Sequence, residues 1–461
     1  MKFNIQKFLK NNVKPAMGCT EVVAIGYAVS LAYHALFNTS VSVKEGHYIF
    51  PHDPPEFDLQ KLNSLQIKTD RDVYKNAFAV AIPRTKGQKG AGLAAAIGIY
   101  CNPKDKLNIF QSTSDEIVIK AKKILRSGLI RVEYVKQLEK KLHLDIRVLI
   151  KYRLDDIYLI SKVRIQDEHD NVTLIEVNNR PLFKGARSSD KSEKDHFPDS
   201  IEEILKIAKS MDSKDKEIVY EGILMNKKVA EVGLKGGYGT EIGKYLYTMA
   251  KDMNLEKTLL MQVRINAAAA ADARMGGCNL PVMSTSGSGN QGITALLPIA
   301  VIGEIKDITY DKLCEAALIS HLLTKLTHLY STHLSALCGC AIKAGIGATA
   351  GITFLLGGTL KMIHQAINLL AANITGMICD GAKAGCALKI STASGVALEC
   401  ALMAINGANI ASDNGIIFSR AEDTIKAIGK ISDSLMETDL TIINIMKEKQ
   451  MNRDTSNKHI E

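Results

Sequence analysis

The chain has 461 residues, 46% hydrophobic and 23% charged, so it is long enough for more than one core and ordinary in composition for a globular protein. Aromatic residues make up only 5% and tryptophan is absent, so small side chains must do much of the packing. The net charge of +9 comes from lysines and arginines scattered without a nucleic-acid-binding motif; this argues against a nucleic-acid partner and fits an anionic small substrate or a plainly solvated surface.

Residues 1–35 read as helix, interrupted at Pro15 and Gly18 before CTEVVAIGYAVSLAYHAL resumes with helical spacing. The opening MKFNIQKFLKNNVK lacks the long apolar stretch of a secretory signal, giving the expectation of a cytoplasmic protein. Residues 39–50 and 64–69 read as strands, and a helix is expected at about 90–99 after the glycines of TKGQKGAG. A long amphipathic helix is predicted over 114–142. The alternation and turn breaks of 145–179 then predict an antiparallel meander, and the charged 188–200 segment a linker.

Beyond it, 200–446 is helix-forming throughout, broken at glycine clusters, and 448–461 is a polar tail expected to fray. The most apolar run, 344–358, is about fifteen residues, short of the roughly 20 needed to cross a bilayer. It reads as a buried helix whose Gly347 and Gly351 permit close packing, with no membrane partner. The fold class expected is α+β: a large all-helical C-terminal part, 196–447, joined by the N-terminal helical segment, 1–35, and a smaller α/β part, 36–195, with antiparallel strands.

Nine cysteines do not make an even disulfide framework, and in a reducing compartment they stay free unless metal or chemistry uses them. Cys101, Cys314 and Cys400 lie in contexts that suit plain structural thiols. The others fall in four loop-like segments: PAMGCTE (15–21), MGGCNLP (275–281), ALCGCAI (336–342) and ICDGAKAGC (378–386). The spacing is CxC, then 38 residues, then Cx6C, with no CxxC pair. Zinc ribbons and four-cysteine ferredoxin runs are therefore disfavoured, leaving either structural cysteines or a cluster held by three thiolates with one iron open.

STSGSGNQG (284–292) precedes an apolar helix; its glycines let backbone N–H groups converge at a helix start, which suits a carboxylate better than a triphosphate because no Gly-Lys-Ser/Thr follows. Asp272 and Arg274 in DARM either clamp this loop or pair as solvated charges. His321, His328 and His333 are not spaced for one helix face and read as ordinary polar or core histidines. Cys19 precedes a helix start, where the dipole would lower its pKa; it reads either as a reactive thiolate or as a passive residue in a capping turn.

Taken together, GCTE, YKNAFAVAIPRTKGQKGAGLAAAIG (74–98), DARMGGCNLPVMSTSGSGNQGI, LSALCGC and GMICDGAKAGCALK resemble the L-cysteine desulfidase family, oxygen-sensitive iron–sulfur enzymes similar to the α-chain of iron–sulfur L-serine dehydratases. The resemblance covers most of the chain and is weaker over 36–63 and 100–200. It implies a [4Fe–4S] cluster held by Cys340, Cys379 and Cys386, with Cys338 as a substitute for Cys340. It implies that Cys19, with Glu21, is catalytic, the thiol acting as base or as a reversible occupant of the open iron. Thr20, Asn76, Ser286, Gly287, Ser288, Gly289 and Asn290 are implied to bind substrate.

The implied reaction is β-elimination from L-cysteine to sulfide, ammonia and pyruvate without pyridoxal phosphate. L-serine or another β-substituted amino acid is the alternative substrate, and an iron–sulfur redox sensor the non-enzymatic alternative. The partners expected are a small amino acid and, for the chain itself, room for a homodimer. Val22 stands where the family motif would have proline, and IPRTKGQKGAG is more basic than expected, which bears on substrate preference.

Overall fold

A computed structural model describes residues 3–135, 144–187, 197–331 and 336–457. Helix α1 (Ile5–Asn12) is capped by Asn4, whose side chain accepts from Lys7 N at 2.8 Å. After β1 (Pro15–Ala16) comes α2 (Thr20–Ala35), which is buried along its whole length. A small hairpin, β2 (Ser42–Lys44) and β3 (His47–Ile49), leads to β4 (Leu62–Thr69). Asp70 then caps α3 (Arg71–Ala77), accepting from Asp72 N and Val73 N at 2.8 and 2.9 Å.

Helix α4 (Ala91–Gly98) is followed by α5 (Asp115–Arg126), the latter capped by Ser114. The helix expected over 114–142 is cut short here. Gly128 takes a left-handed turn at φ +72, and β5 (Ile130–Tyr134) departs to pair in parallel with β4, Leu65 opposite Ile130. The remainder of that expected helix, 136–143, lies outside the described residues, as does 188–196 of the expected linker.

The expected meander follows as β6 (Asp145–Leu154), β7 (Ile157–Gln166) and β8 (Val172–Val177), and continues past its expected end into β9 (Arg180–Lys184), each antiparallel to its neighbour. The six-stranded sheet has the order β5-β4-β6-β7-β8-β9, all antiparallel except β4/β5. Helices α2 and α4 cover one face, so Ile67, Ile146, Val148 and Ile165 are buried beneath Ala24, Ala28 and Leu31. A Cβ on Gly98 would lie 2.4 Å from Gly26 O, which shows how closely the small residues let α2 and α4 cross.

The rest is helical: α6 (Ile201–Lys209), α7 (Ser213–Leu234), α8 (Ile242–Asp252), α9 (Leu259–Met275), the two-residue β10 (Val282–Met283), α10 (Gly289–Ile305), α11 (Tyr310–Tyr330), α12 (Lys343–Leu355), α13 (Leu360–Ile374), α14 (Cys386–Ile405), α15 (Ala421–Ser434) and α16 (Met436–Asn457). The alanine run 267–271 on α9 is fully buried and lets α7, α8, α10 and α14 close around it. At Gly347 and Gly351 a Cβ would lie 2.3 Å from Ser320 O and 2.7 Å from Ala316 O, so α12 and α11 meet backbone to backbone. The protein is thus α+β, a helical bundle beside a mostly antiparallel sheet.

Two expectations are revised. Residues 1–35 do not act as one segment: α1 packs its Ile5, Phe8 and Leu9 into the helical core, whereas α2 belongs to the core under the sheet. The polar sequence after 447 does not fray at once, because α16 continues through Asn457. Helix α14 has the length and hydropathy of a membrane span, but 61% of its most apolar window is buried inside the protein.

Candidate functional site

Strand β1 pairs with β10, Pro15 opposite Met283, and this short ladder brings the GCTE turn against the STSGSGNQG loop. Ser284 N and Oγ both donate to Lys14 O, at 2.8 and 2.6 Å, and Ser286 N donates to Asn12 O at 2.8 Å. A second clasp joins the two cysteine loops. Leu337 and Ile378 form a bridge in which Cys338 N donates to Met377 O at 2.8 Å and Cys379 N to Ala336 O at 2.6 Å. Segments far apart in the chain therefore meet around one cavity of about 100 Å³, where the sheet core and the helical cores adjoin.

Cys19, Thr20, Glu21, Asn76, Ser286, Gly287, Ser288, Asn290, Cys338, Cys340, Cys379 and Cys386 all line this cavity. Gly289 does not. It starts α10 directly over Arg274, and a Cβ there would lie 2.4 Å from Arg274 Nε, so its role is to make room for the guanidinium. Cys101, Cys314 and Cys400 are buried away from the cavity. Cys278 packs in the apolar cluster around α9.

Cys19 caps α2, and its thiol donates to Glu21 Oε2 at 2.8 Å; Thr20 Oγ1 donates to the same oxygen at 3.2 Å. Asn76 Nδ2 donates to Glu21 Oε1 at 2.9 Å, while Asn76 Oδ1 accepts from Ala382 N at 3.1 Å, tying the cysteine loop to the same carboxylate. Burial, and next the Glu21 charge, push the Cys19 thiol well above its ordinary value, overriding the helix start that suggested a thiolate. Burial raises Glu21 too, but the charge of His169, the Cys19 hydrogen bond and Arg274 outweigh it and hold the carboxyl below its usual range. The resting pair is a thiol donating to a carboxylate.

In the loop, Ser286 (φ +49) and Gly287 (φ +80) turn the backbone into the left-handed region before Ser288 caps α10. Ser286 Oγ is buried without a partner. Asp272 and Arg274 are both buried and do not pair with each other, so neither is a solvated charge. Arg274 Nη1 donates to Asn290 Oδ1 at 2.9 Å and its Nε has no partner. Asp272 faces away, accepting from Gly243 N at 2.9 Å.

The loop is braced from α11: Thr285 Oγ1 meets His321 Nδ1 at 2.8 Å, and His328 Nε2 meets Gln291 Oε1 at 2.6 Å. His333 lies outside the described residues. From the sheet, the turn after β7 presents His169, which is buried, lines the same cavity and has Nε2 unpartnered. Buried polar atoms without partners are costly, and Ser286, Arg274 and His169 place three around one space, which a polar ligand would satisfy.

The thiols sit among lysines. Lys75, Lys343 and Lys389 line the cavity, and Lys389 Nζ bonds Ile378 O at 2.6 Å and Asp380 Oδ1 at 2.7 Å. Asp380 also pairs with Lys383; burial raises its carboxyl, but these two lysines bring it to about 2. Burial drives the Cys379 thiol up to about 12, against the opposing charge of Lys75, and also raises Cys386. Cys338 is held low, to about 6, chiefly by a hydrogen bond from Cys340, whose own thiol is raised in consequence. Burial lowers Lys343 to about 7.

The donor set is soft and sulfur-rich. Among the described residues no three His, Cys, Asp or Glu side chains gather tightly enough for a single metal ion, which needs its ligands within about 2.0–2.3 Å of one point. Thiols distributed around a cavity would suit a multi-iron cluster. Four thiols around one cavity, Cys338 buried and the others half-buried, cannot ionise together without added positive charge, and the lysines and such a cluster would supply it.

Lys75, Asp72, His169, Gln291, His328 and Lys343 were not singled out as site residues from sequence. A signal existed for some of them. Lys75 adjoins Asn76 in the YKNAF motif, and Gln291 belongs to the glycine loop. His169 sits in a turn with no distinguishing pattern.

Comparison with known proteins accords with this geometry. Residues 104–444 match the family described as serine dehydratase alpha chain. The chain is 34% identical to a UPF0597 protein of Desulfatibacillum aliphaticivorans, covering 98% of this chain and 100% of that one. It is 38% identical to one from Caldanaerobacter subterraneus subsp. tengcongensis (96% and 97%) and 36% identical to one from Clostridium perfringens strain SM101 (97% and 98%). The chain belongs to the serine dehydratase alpha chain family.

Proposed function

We propose that this protein is an iron–sulfur lyase that removes the β-substituent of a small L-amino acid, with L-cysteine as substrate and sulfide, ammonia and pyruvate as products. The observation that carries the reading is the meeting, around one cavity, of four cysteine thiols, the glycine loop with its unpartnered Ser286 Oγ, and the Cys19–Glu21 pair. Cys340, Cys379 and Cys386 would hold a [4Fe–4S] cluster, with Cys338 the neighbour that can replace Cys340. When bound, the cluster supplies a Lewis-acidic iron that favours departure of the β-substituent.

The protein residues supply orientation and proton handling. The N–H groups of Gly287 and Asn290, Ser286 Oγ and Arg274 hold the α-carboxylate, fixing the α-carbon beside Cys19. Glu21 holds the Cys19 sulfur beside the α-carbon; as a thiolate, which the charges of Arg274 and the substrate ammonium favour, Cys19 takes the α-proton onto sulfur. Asn76 keeps Glu21 aimed at the thiol. Burial of the cavity keeps competing water away from the developing charge.

L-serine is the second substrate, favoured by the family to which the chain belongs. Thiol and hydroxyl leaving groups differ by one atom, and the cavity residues near Cys19 serve both. The test is an anaerobic assay with each amino acid on protein reconstituted with iron and sulfide. Sulfide and pyruvate from L-cysteine at a higher kcat/KM than pyruvate from L-serine is expected; the reverse order reassigns the substrate, and no turnover of either defeats the reading.

A further inference from the structure

Helix α16 docks on α3 at two places. Asp439, in its first turn, is 1% exposed; its Oδ1 lies 2.5 Å from Lys75 Nζ and its Oδ2 3.4 Å from Arg71 Nε. Two turns further on, Lys447 lies over the rings of Tyr74 and Tyr134, 5.9 and 5.5 Å from their centroids. Lys75 is as buried as Asp439, has Asp72 Oδ1 at 3.6 Å, and lines the cavity beside Cys379.

The cysteine loop rests on the same residue. Gly381 (φ +94) passes so close that a Cβ would lie 2.5 Å from Lys75 O, and Ala382 N bonds the neighbouring Asn76. One buried lysine is thus gripped by the last helix on one side and carries the 379–386 loop on the other.

We infer that Asp439 is a positioning residue for the cluster site: it fixes Lys75 against the loop bearing Cys379 and Cys386 and offsets its charge, so that the seating of α16 sets the electrostatics at the thiols. This rests on the iron–sulfur reading above. Without the Asp439 charge only Asp72, at 3.6 Å, offsets Lys75; a buried cation so under-compensated acts with little screening and favours the more reduced, more negative state of a cluster. A purely mechanical contact would loosen α16 on removal without moving the cluster's potential.

The test uses the full chain, reconstituted anaerobically with iron and sulfide, as wild type, Asp439→Asn, Asp439→Glu and the double variant Lys75→Met/Asp439→Asn. Iron per chain and the reduction potential from an EPR-monitored titration are read beside kcat and KM. Expected is a more positive potential in Asp439→Asn at equal iron content, a return toward wild type in Asp439→Glu, and a return in the double variant, where both charges are gone. If Asp439→Asn takes up no iron, recovery of iron in the double variant supports the pairing, and equal loss in both overturns it. Equal iron and equal potential in wild type and Asp439→Asn overturn the inference alone. An iron-free wild type overturns the iron–sulfur reading, and the inference with it.

Discussion

At the scale of single residues, the site divides its work between sulfur and oxygen. Cys19 keeps its proton because it is buried beside an ionised Glu21, a pairing that the sequence motif GCTE contains but does not reveal. Cys19→Ala is expected to retain iron and lose about 100-fold or more in kcat, measured by pyruvate formation, since general-base catalysis typically contributes that much. Full activity would remove Cys19 from the mechanism. Arg274→Gln keeps a donor but loses the charge, so kcat/KM is expected to fall about 10- to 100-fold, mostly through KM, the range for losing a charge-assisted bond. An unchanged KM would place the carboxylate elsewhere. The four cysteine segments and the glycine loop were legible because chemistry restricts their residue types. Lys75 and His169 were not, because the first acts through a contact 364 residues away and the second through one unpartnered nitrogen, which no local pattern encodes.

At the scale of elements, small residues decide how close the helices come. Gly347→Val would drive a side chain into Ser320 O and Thr324 Oγ1, which lie 2.3 and 2.4 Å from its Cβ position. The cost expected is about 3 kcal/mol or more, read from the urea midpoint, because overpacking against backbone cannot relax cheaply. The meander over 145–179 was legible from its period-two alternation, though not its last strand at 180–184, and the helical half from its glycine-punctuated apolar spacing. The end of α5 was missed for a physical reason: Ile130 and Val132 continue the apolar spacing of the helix, while pairing with Leu65 and Ile67 of β4 turns them into strand. Likewise α1 and α2 share one apolar pattern, and only tertiary packing assigns them to different cores.

At the scale of the whole molecule, the loops around the cavity are held by buried side chains, so stability and site geometry respond together to pH. His321 braces Thr285, and burial alone lowers its pKa to about 3. The folded state refuses a proton that the unfolded chain accepts at about 6.5. Its contribution is therefore complete above about 6.5 and is lost on acidification toward 3, at up to about 1.4 kcal/mol per pH unit. Urea unfolding between pH 7 and 5 should show that slope in wild type and a shallower one in His321→Gln; equal slopes would mean the imidazole is not buried neutral.

The central claim is that the cavity holds an iron–sulfur cluster that serves elimination. It is tested most directly by counting iron and measuring turnover together in anaerobically reconstituted wild type and Cys379→Ala. About four irons per chain in wild type, with pyruvate formed from L-cysteine or L-serine, and loss of both in Cys379→Ala is the result this account expects. A colourless wild-type protein without iron, or full turnover in Cys379→Ala, would contradict it.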